Sequence, residues 1–140
     1  MVTKSRVALV ALAVLLATGC SGSAEDEPAC SSPVNGEMQG TGSLWALFFP
    51  TPGQAAPVVS GAESKIVWKI GGSGDFTVGA TGPEGSTATL VWGPSEHDGS
   101  TWERPGTEYG TGFLFDKPGC WTFTAERASG EKGELRLTVA

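Results

Sequence analysis

Seven short apolar runs, separated by glycine- and proline-rich turns, predict an all-β fold: an immunoglobulin-like antiparallel β-sandwich of about seven strands. Three observations carry the prediction. The 140-residue chain holds 21 glycines and 9 prolines, too many breakers for long helices. No window places apolar residues at i, i+3, i+4 and i+7 over three turns. Apolar and polar residues instead alternate with the period of two that a half-buried strand requires.

The strands follow in order from residue 44. "LWALFF" (44–49) is an almost continuous apolar run stopped by Pro50. "KIVWKI" (65–70) sets Ile66, Trp68 and Ile70 on one face and Lys65, Val67 and Lys69 on the other. "DFTVGAT" (75–81) alternates Phe76, Val78 and Ala80, and "STATLVW" (86–92) places Ala88, Leu90 and Trp92 on one side. "TGFLFD" (111–116) pairs Phe113 with Phe115 on a face. A Pro-Gly turn leads into "CWTFTAE" (120–126), where Trp121 and Phe123 alternate with threonines. "ASGEKG" reads as a hairpin turn, and "ELRLTVA" (134–140) closes the domain with Leu135, Leu137 and Val139 on its core face.

The N-terminal region has a different character. Lys4 and Arg6 precede an uncharged apolar run from Val7 to Ala17, the layout of a secretory signal peptide over 1–19. The run is short for a membrane-spanning helix. Its end, "ATGC", resembles the lipobox of bacterial lipoproteins, with Ala17 where leucine is commoner. That resemblance implies diacylglycerol attachment to Cys20, cleavage before it, and a lipid anchor on the outer face of the cytoplasmic membrane. Residues 20–42 then read as a lipid-anchored flexible tether, rich in Ser, Gly, Pro and acid, and 43–140 as the sandwich domain.

Assigning Cys20 to lipid leaves Cys30 and Cys120 as an even pair in an exported, oxidising setting, which predicts a disulfide between them. Charge is a further constraint. The chain has 15 acidic and 9 basic residues; once Lys4 and Arg6 leave with the signal, the balance is about −8. Such a surface argues against nucleic acid and against lying flat on anionic lipid. The expected partners are therefore the membrane, through the anchor, and an extracytoplasmic protein or carbohydrate, with the domain a monomer.

Candidate chemistry is sparse. "FxxPGxWxF" resembles the closing strands of cupredoxins, but blue copper needs two histidines with its cysteine, and His97 is the only histidine. Cys30, Cys120 and His97 include no closely spaced ligand pair for zinc. Glu96, Asp98, Glu103 and Glu108 make an oxygen-rich loop that matches no known calcium spacing. No serine lies in G-x-S-x-G; His97 sits in a loop between Ser95 and Ser100, and Glu103 and Glu108 read as surface charge, so an enzyme of unknown type is the last alternative and no catalytic residue or cofactor is expected. The long connection 93–110, "GPSEHDGSTWERPGTEYG", is the candidate binding element. It carries His97, Trp102, Arg104 and Tyr109, with Trp92 just before it; Trp, Tyr and Arg are common interface anchors, and aromatic faces also stack on sugars. A small-ligand sensor for sugar or calcium is the alternative to an interaction module. A structural reading has Trp102 folded over the sandwich edge.

The phrases "SLWALFFP", "KIVWKIGGSGDFTVGATGPEG", "VWGPSEHDGSTWERPGTEYGTGFLFDKPGCW" and "GELRLTV" are similar to a group of uncharacterised exported lipoproteins of high-GC Gram-positive bacteria. The resemblance spans residue 44 to the C-terminus. It implies an exported, anchored, β-rich domain and brings no catalytic residue, cofactor or substrate.

Overall fold

A computed structural model describes residues 29–140. The signal peptide, Cys20 and the first part of the expected tether lie outside the described residues.

Among the described residues eight strands form two antiparallel sheets. They are β1 (Glu37–Gln39), β2 (Trp45–Phe48), β3 (Glu63–Ile70), β4 (Phe76–Thr81), β5 (Thr89–His97), β6 (Thr107–Leu114), β7 (Gly119–Arg127) and β8 (Lys132–Val139). One sheet has the order β1-β2-β3-β6-β5 and the other β4-β7-β8. Lettering β2 to β8 as A to G turns these orders into A-B-E-D and C-F-G, the arrangement of a constant-type immunoglobulin sandwich. β1 is the eighth strand, added outside A, where seven were expected.

The alternation that predicts the core is realised. Ile66, Trp68 and Ile70 of β3, Trp121 and Phe123 of β7, and Leu135, Leu137 and Val139 of β8 all face inward and are buried. Trp68 meets Phe123 across the sheets at 5.0 Å between ring centroids. This contact joins strands B and F, the strands that antibody domains link by a disulfide. The Trp68 indole N–H donates to Thr111 Oγ1 at 2.8 Å, and the Thr111 hydroxyl donates to the Ile66 carbonyl at 2.9 Å. A buried polar pair is thereby satisfied within the core. The Pro-Gly turn at 118–119 carries the chain from one sheet to the other, and Phe115 and Trp121 pack edge-on across it at 5.1 Å.

The disulfide joins Cys30 to Cys120 with Cα atoms 5.8 Å apart. It staples the first described residues to the start of β7. Beyond it the chain runs beside β8, where Thr138 N donates to the Ser31 carbonyl at 2.8 Å. A tight turn at Asn35-Gly36, both at positive φ (52° and 81°), reverses it into β1. Thr41 then bonds Glu134 through N–H to carbonyl and through Oγ1 to amide, both at 2.8 Å. Residues 31–41, expected as flexible tether, are therefore built into the sandwich and zip one lateral edge of its two sheets.

Candidate functional site

The outward face of the five-stranded sheet collects most of the candidate residues. Register decides which side chains reach it. Lys69 of β3 lies opposite Glu108 of β6, which in turn lies opposite His97 of β5. Val67 lies opposite Gly110, and Lys65 opposite Gly112. β2 adds Trp45 and Leu47, and β1 adds Glu37, paired with Leu47.

β5 and β6 are longer than their sequence pattern suggests. They reach His97 and start at Thr107, so the 93–110 connection contracts to residues 98–106. That loop folds back across the sheet and is held at several points. Lys69 Nζ donates to the Trp102 carbonyl at 2.6 Å, and its ammonium lies 5.6 Å from the Trp102 ring centroid. Ser100 Oγ donates to Glu108 Oε2 at 2.6 Å. Arg104 donates through Nε and Nη2 to Glu37 Oε2, at 3.0 and 2.6 Å, while its guanidinium stacks 4.4 Å from the Trp45 ring centroid. Trp102 thus lies over the sheet face and not over its edge.

Glu108 is the hub beneath the loop. It is 5 % exposed, yet its carboxylate meets three groups: Ser100, Lys69 Nζ at 3.4 Å and His97 Nδ1 at 3.0 Å. A buried carboxylate needs such partners. The arrangement also bears on catalysis. The carboxylate orients the imidazole, but the Ser100 hydroxyl is engaged with the carboxylate, so serine, histidine and glutamate do not line up as a relay.

Trp92 occupies the other side of the face. Shifts of register between Leu90 and Trp92, and again before Ser95, interrupt β5. The alternation that groups Trp92 with Ala88 and Leu90 therefore fails: Ala88 is buried, whereas Trp92 turns outward opposite Gly112 and donates its indole N–H to Glu63 Oε1 at 2.6 Å. The ring lies against Gly110 and Gly112, and a Cβ at Gly112 would collide with the indole. Glycine in a strand interior weakens it and often marks a close approach, which here is the seating of Trp92.

Tyr109 separates from the group. It faces inward on β6, buried, stacked on Phe76 at 4.5 Å, with its hydroxyl toward Glu96 at 3.4 Å. Burial raises its phenol above the ordinary 10.0; Arg127 opposes the shift and Glu96 adds to it. The loop carboxylates also disperse, with Glu108 under the loop and Glu96 beside Tyr109. Among the described residues no three His, Cys, Asp or Glu side chains group as a metal site.

Between the loop and β2–β3 lies a cleft of about 240 Å³, lined by Leu47, Phe49, Lys65, Val67, Thr101 and Trp102, with His97, Ser100 and Glu108 at its inner end. Val67 is only 4 % exposed although it faces outward, because the loop covers it. The alternation of Lys65, Val67 and Lys69 places these residues on one face; only the folded loop turns that face into a cleft.

Comparison with known proteins finds no matching family model, no matching curated protein and no matching solved structure. The site therefore stands on its own geometry.

Proposed function

We propose that this protein is a lipid-anchored, extracytoplasmic binding module. Its sandwich is the scaffold and the loop-covered outer face of the five-stranded sheet is its recognition surface. The observation that carries the reading is the cleft itself. Trp102, Arg104, His97 and Glu108 come from separate stretches of β5, the loop and β6, and are fixed on one face by ion pairs and hydrogen bonds. Interfaces favour such aromatic and arginine side chains on a rigid support.

Export is supported by the Cys30–Cys120 bond, since disulfides persist in oxidising compartments. The bond also leaves Cys20 as the odd cysteine, the residue that the lipobox resemblance assigns to the anchor. Nine residues separate Cys20 from Cys30. Fully extended, they span roughly 30 Å, so the staple would keep the domain near the membrane surface. The acidic surface suits solubility there.

Two experiments test the reading. Cys20→Ser should move the protein from the membrane to the soluble fraction; retention on membranes would refute the anchor. A thermal-shift screen over cell-wall fragments and small metabolites should return a stabilising ligand whose effect disappears in Trp102→Ala, because binding to the native state raises Tm. A ligand response that survives Trp102→Ala unchanged would place recognition elsewhere.

A further inference from the structure

We infer that the cleft beneath the loop takes a small amphipathic carboxylate, an apolar body about one ring or a short acyl chain in size ending in one anionic group. The inference rests on the proposed binding role of this face and names the ligand class.

The lining dictates the class. Leu47, Val67, Phe49 and Trp102 supply carbon surface on three sides. Phe49, 41 % exposed, leaves apolar area at the mouth open to solvent. A cleft of 240 Å³ holds about eight liquid-water volumes, below the range of drug-sized pockets. One ring or a short chain fills it.

The polar groups decide against a neutral sugar. Ser100 and Glu108 are bonded to each other, and His97 Nδ1 is held by the same carboxylate. Lys69 is spent on Glu108 and on the Trp102 carbonyl. A many-hydroxyl ligand entering here would lose its water and gain few partners, chiefly the otherwise unpartnered Trp102 indole N–H. One charged donor remains. Lys65 projects its ammonium over the Phe49 ring, 4.7 Å from the centroid, and among the described residues it makes no ion pair with a carboxylate. The other lysines among the described residues do: Lys69 with Glu108, Lys117 with Glu84, Lys132 with Glu126. On a chain of net charge −6, an unneutralised ammonium at the mouth of an apolar cleft is the place where an anion is accepted. The ligand's carboxylate meets Lys65 at the mouth, and its apolar body lies on Leu47 and Val67 against Trp102.

The test is an amide-resolved NMR titration of the full chain carrying Cys20→Ser with the Cys30–Cys120 bond formed. The probes are octanoate, phenylacetate, phenylacetamide, glucuronate and a muropeptide digest. Octanoate or phenylacetate is expected to move the signals of Leu47, Val67 and residues 98–106. Lys65→Met should weaken that binding about tenfold or more, the scale of one hydrogen bond to a charged group, and Lys117→Met should leave it unchanged. Phenylacetamide should bind the native chain as weakly as phenylacetate binds Lys65→Met. Equal carboxylate binding by Lys65→Met would overturn the anion site. Binding of glucuronate or the digest to the same amides, without the apolar acids, would overturn the ligand class and leave the binding face standing. No response on this face to any probe would overturn both.

Discussion

Replacing Cys30 and Cys120 together by serine should cost about 4–5 kcal/mol of folding stability, and the figure comes from chain length. The two cysteines are 90 residues apart, so the bond closes a ring around nearly the whole sandwich. In the chain-entropy treatment, a ring of that size removes about 4–5 kcal/mol of unfolded-state freedom at room temperature. The folded state should change little. Residues 31–41 keep their own bonds, among them Thr138 to Ser31 and Thr41 to Glu134, each at 2.8 Å. Equilibrium unfolding in guanidinium is the assay. The midpoint should fall and the m value should rise, because an unconstrained unfolded chain exposes more surface. For a domain of this size roughly 4 °C is lost per kcal/mol, so Tm should drop by about 15–20 °C. A loss under about 1 kcal/mol with an unchanged m value would refute the reasoning. It would mean that the bond latches only the first few residues locally.

Three other outcomes follow from the same geometry. Thr111→Val keeps the shape of a fully buried side chain but orphans the Trp68 indole N–H; equilibrium unfolding should show a loss of about 1–3 kcal/mol, and Thr111→Ser should recover most of it. Gly112→Ala should lift Trp92 from the sheet, break its bond to Glu63 and cost about 1–3 kcal/mol, read by unfolding and Trp fluorescence; Gly79→Ala on β4, with nothing near its added Cβ, serves as the harmless control. Tyr109 is the only tyrosine, so its phenolate absorbance titrates without overlap from another. Because burial raises its folded value above 10.0, its contribution is fully present below that pH and is lost as pH rises toward the folded value; Tyr109→Phe should flatten this loss, and a native titration at or below 10.0 would contradict it.

The sequence was most legible where one face is simply dry. β3, β7 and β8 alternate cleanly because each has one side packed in the core, so Ile66, Trp68, Phe123 and Leu137 announce themselves. β1 is nearly silent, since "EMQ" holds through backbone pairing with β2 and backbone bonds do not depend on side-chain identity. Its Asn35-Gly36 turn is nevertheless a readable hairpin signal within a stretch whose composition reads as tether. β5 misleads for another reason. Its bulges reverse the facing of Trp92, and its exposed residues carry no burial pattern at all. Tyr109 reads as part of a loop by its polar neighbours, whereas eight paired positions with β3 extend β6 through it and turn it inward. The loop residues Trp102 and Arg104 were recognisable by type, but their partners Glu37, Trp45 and Lys69 lie far away in sequence and are brought near only by strand order.

That distribution bears on why the outer face is built as it is. A face meant only to stabilise the fold could bury its loop with apolar residues; isosteric apolar replacement of buried ion pairs is often neutral or stabilising. Here a buried glutamate is held by a lysine, a histidine and a serine, and β6 carries two glycines beneath one tryptophan. The loop above is tied by Arg104 and Lys69, yet the Trp102 indole N–H is buried without a hydrogen-bond partner among the described residues. The strand glycines and the unpartnered indole N–H each cost some stability. The long disulfide ring offsets that loss from the opposite side, through the unfolded state, without adding any group to the face. Staple and face are thus complementary: the first permits a sandwich with a partly polar, glycine-floored surface to remain folded, and the second is what such a surface is shaped to present.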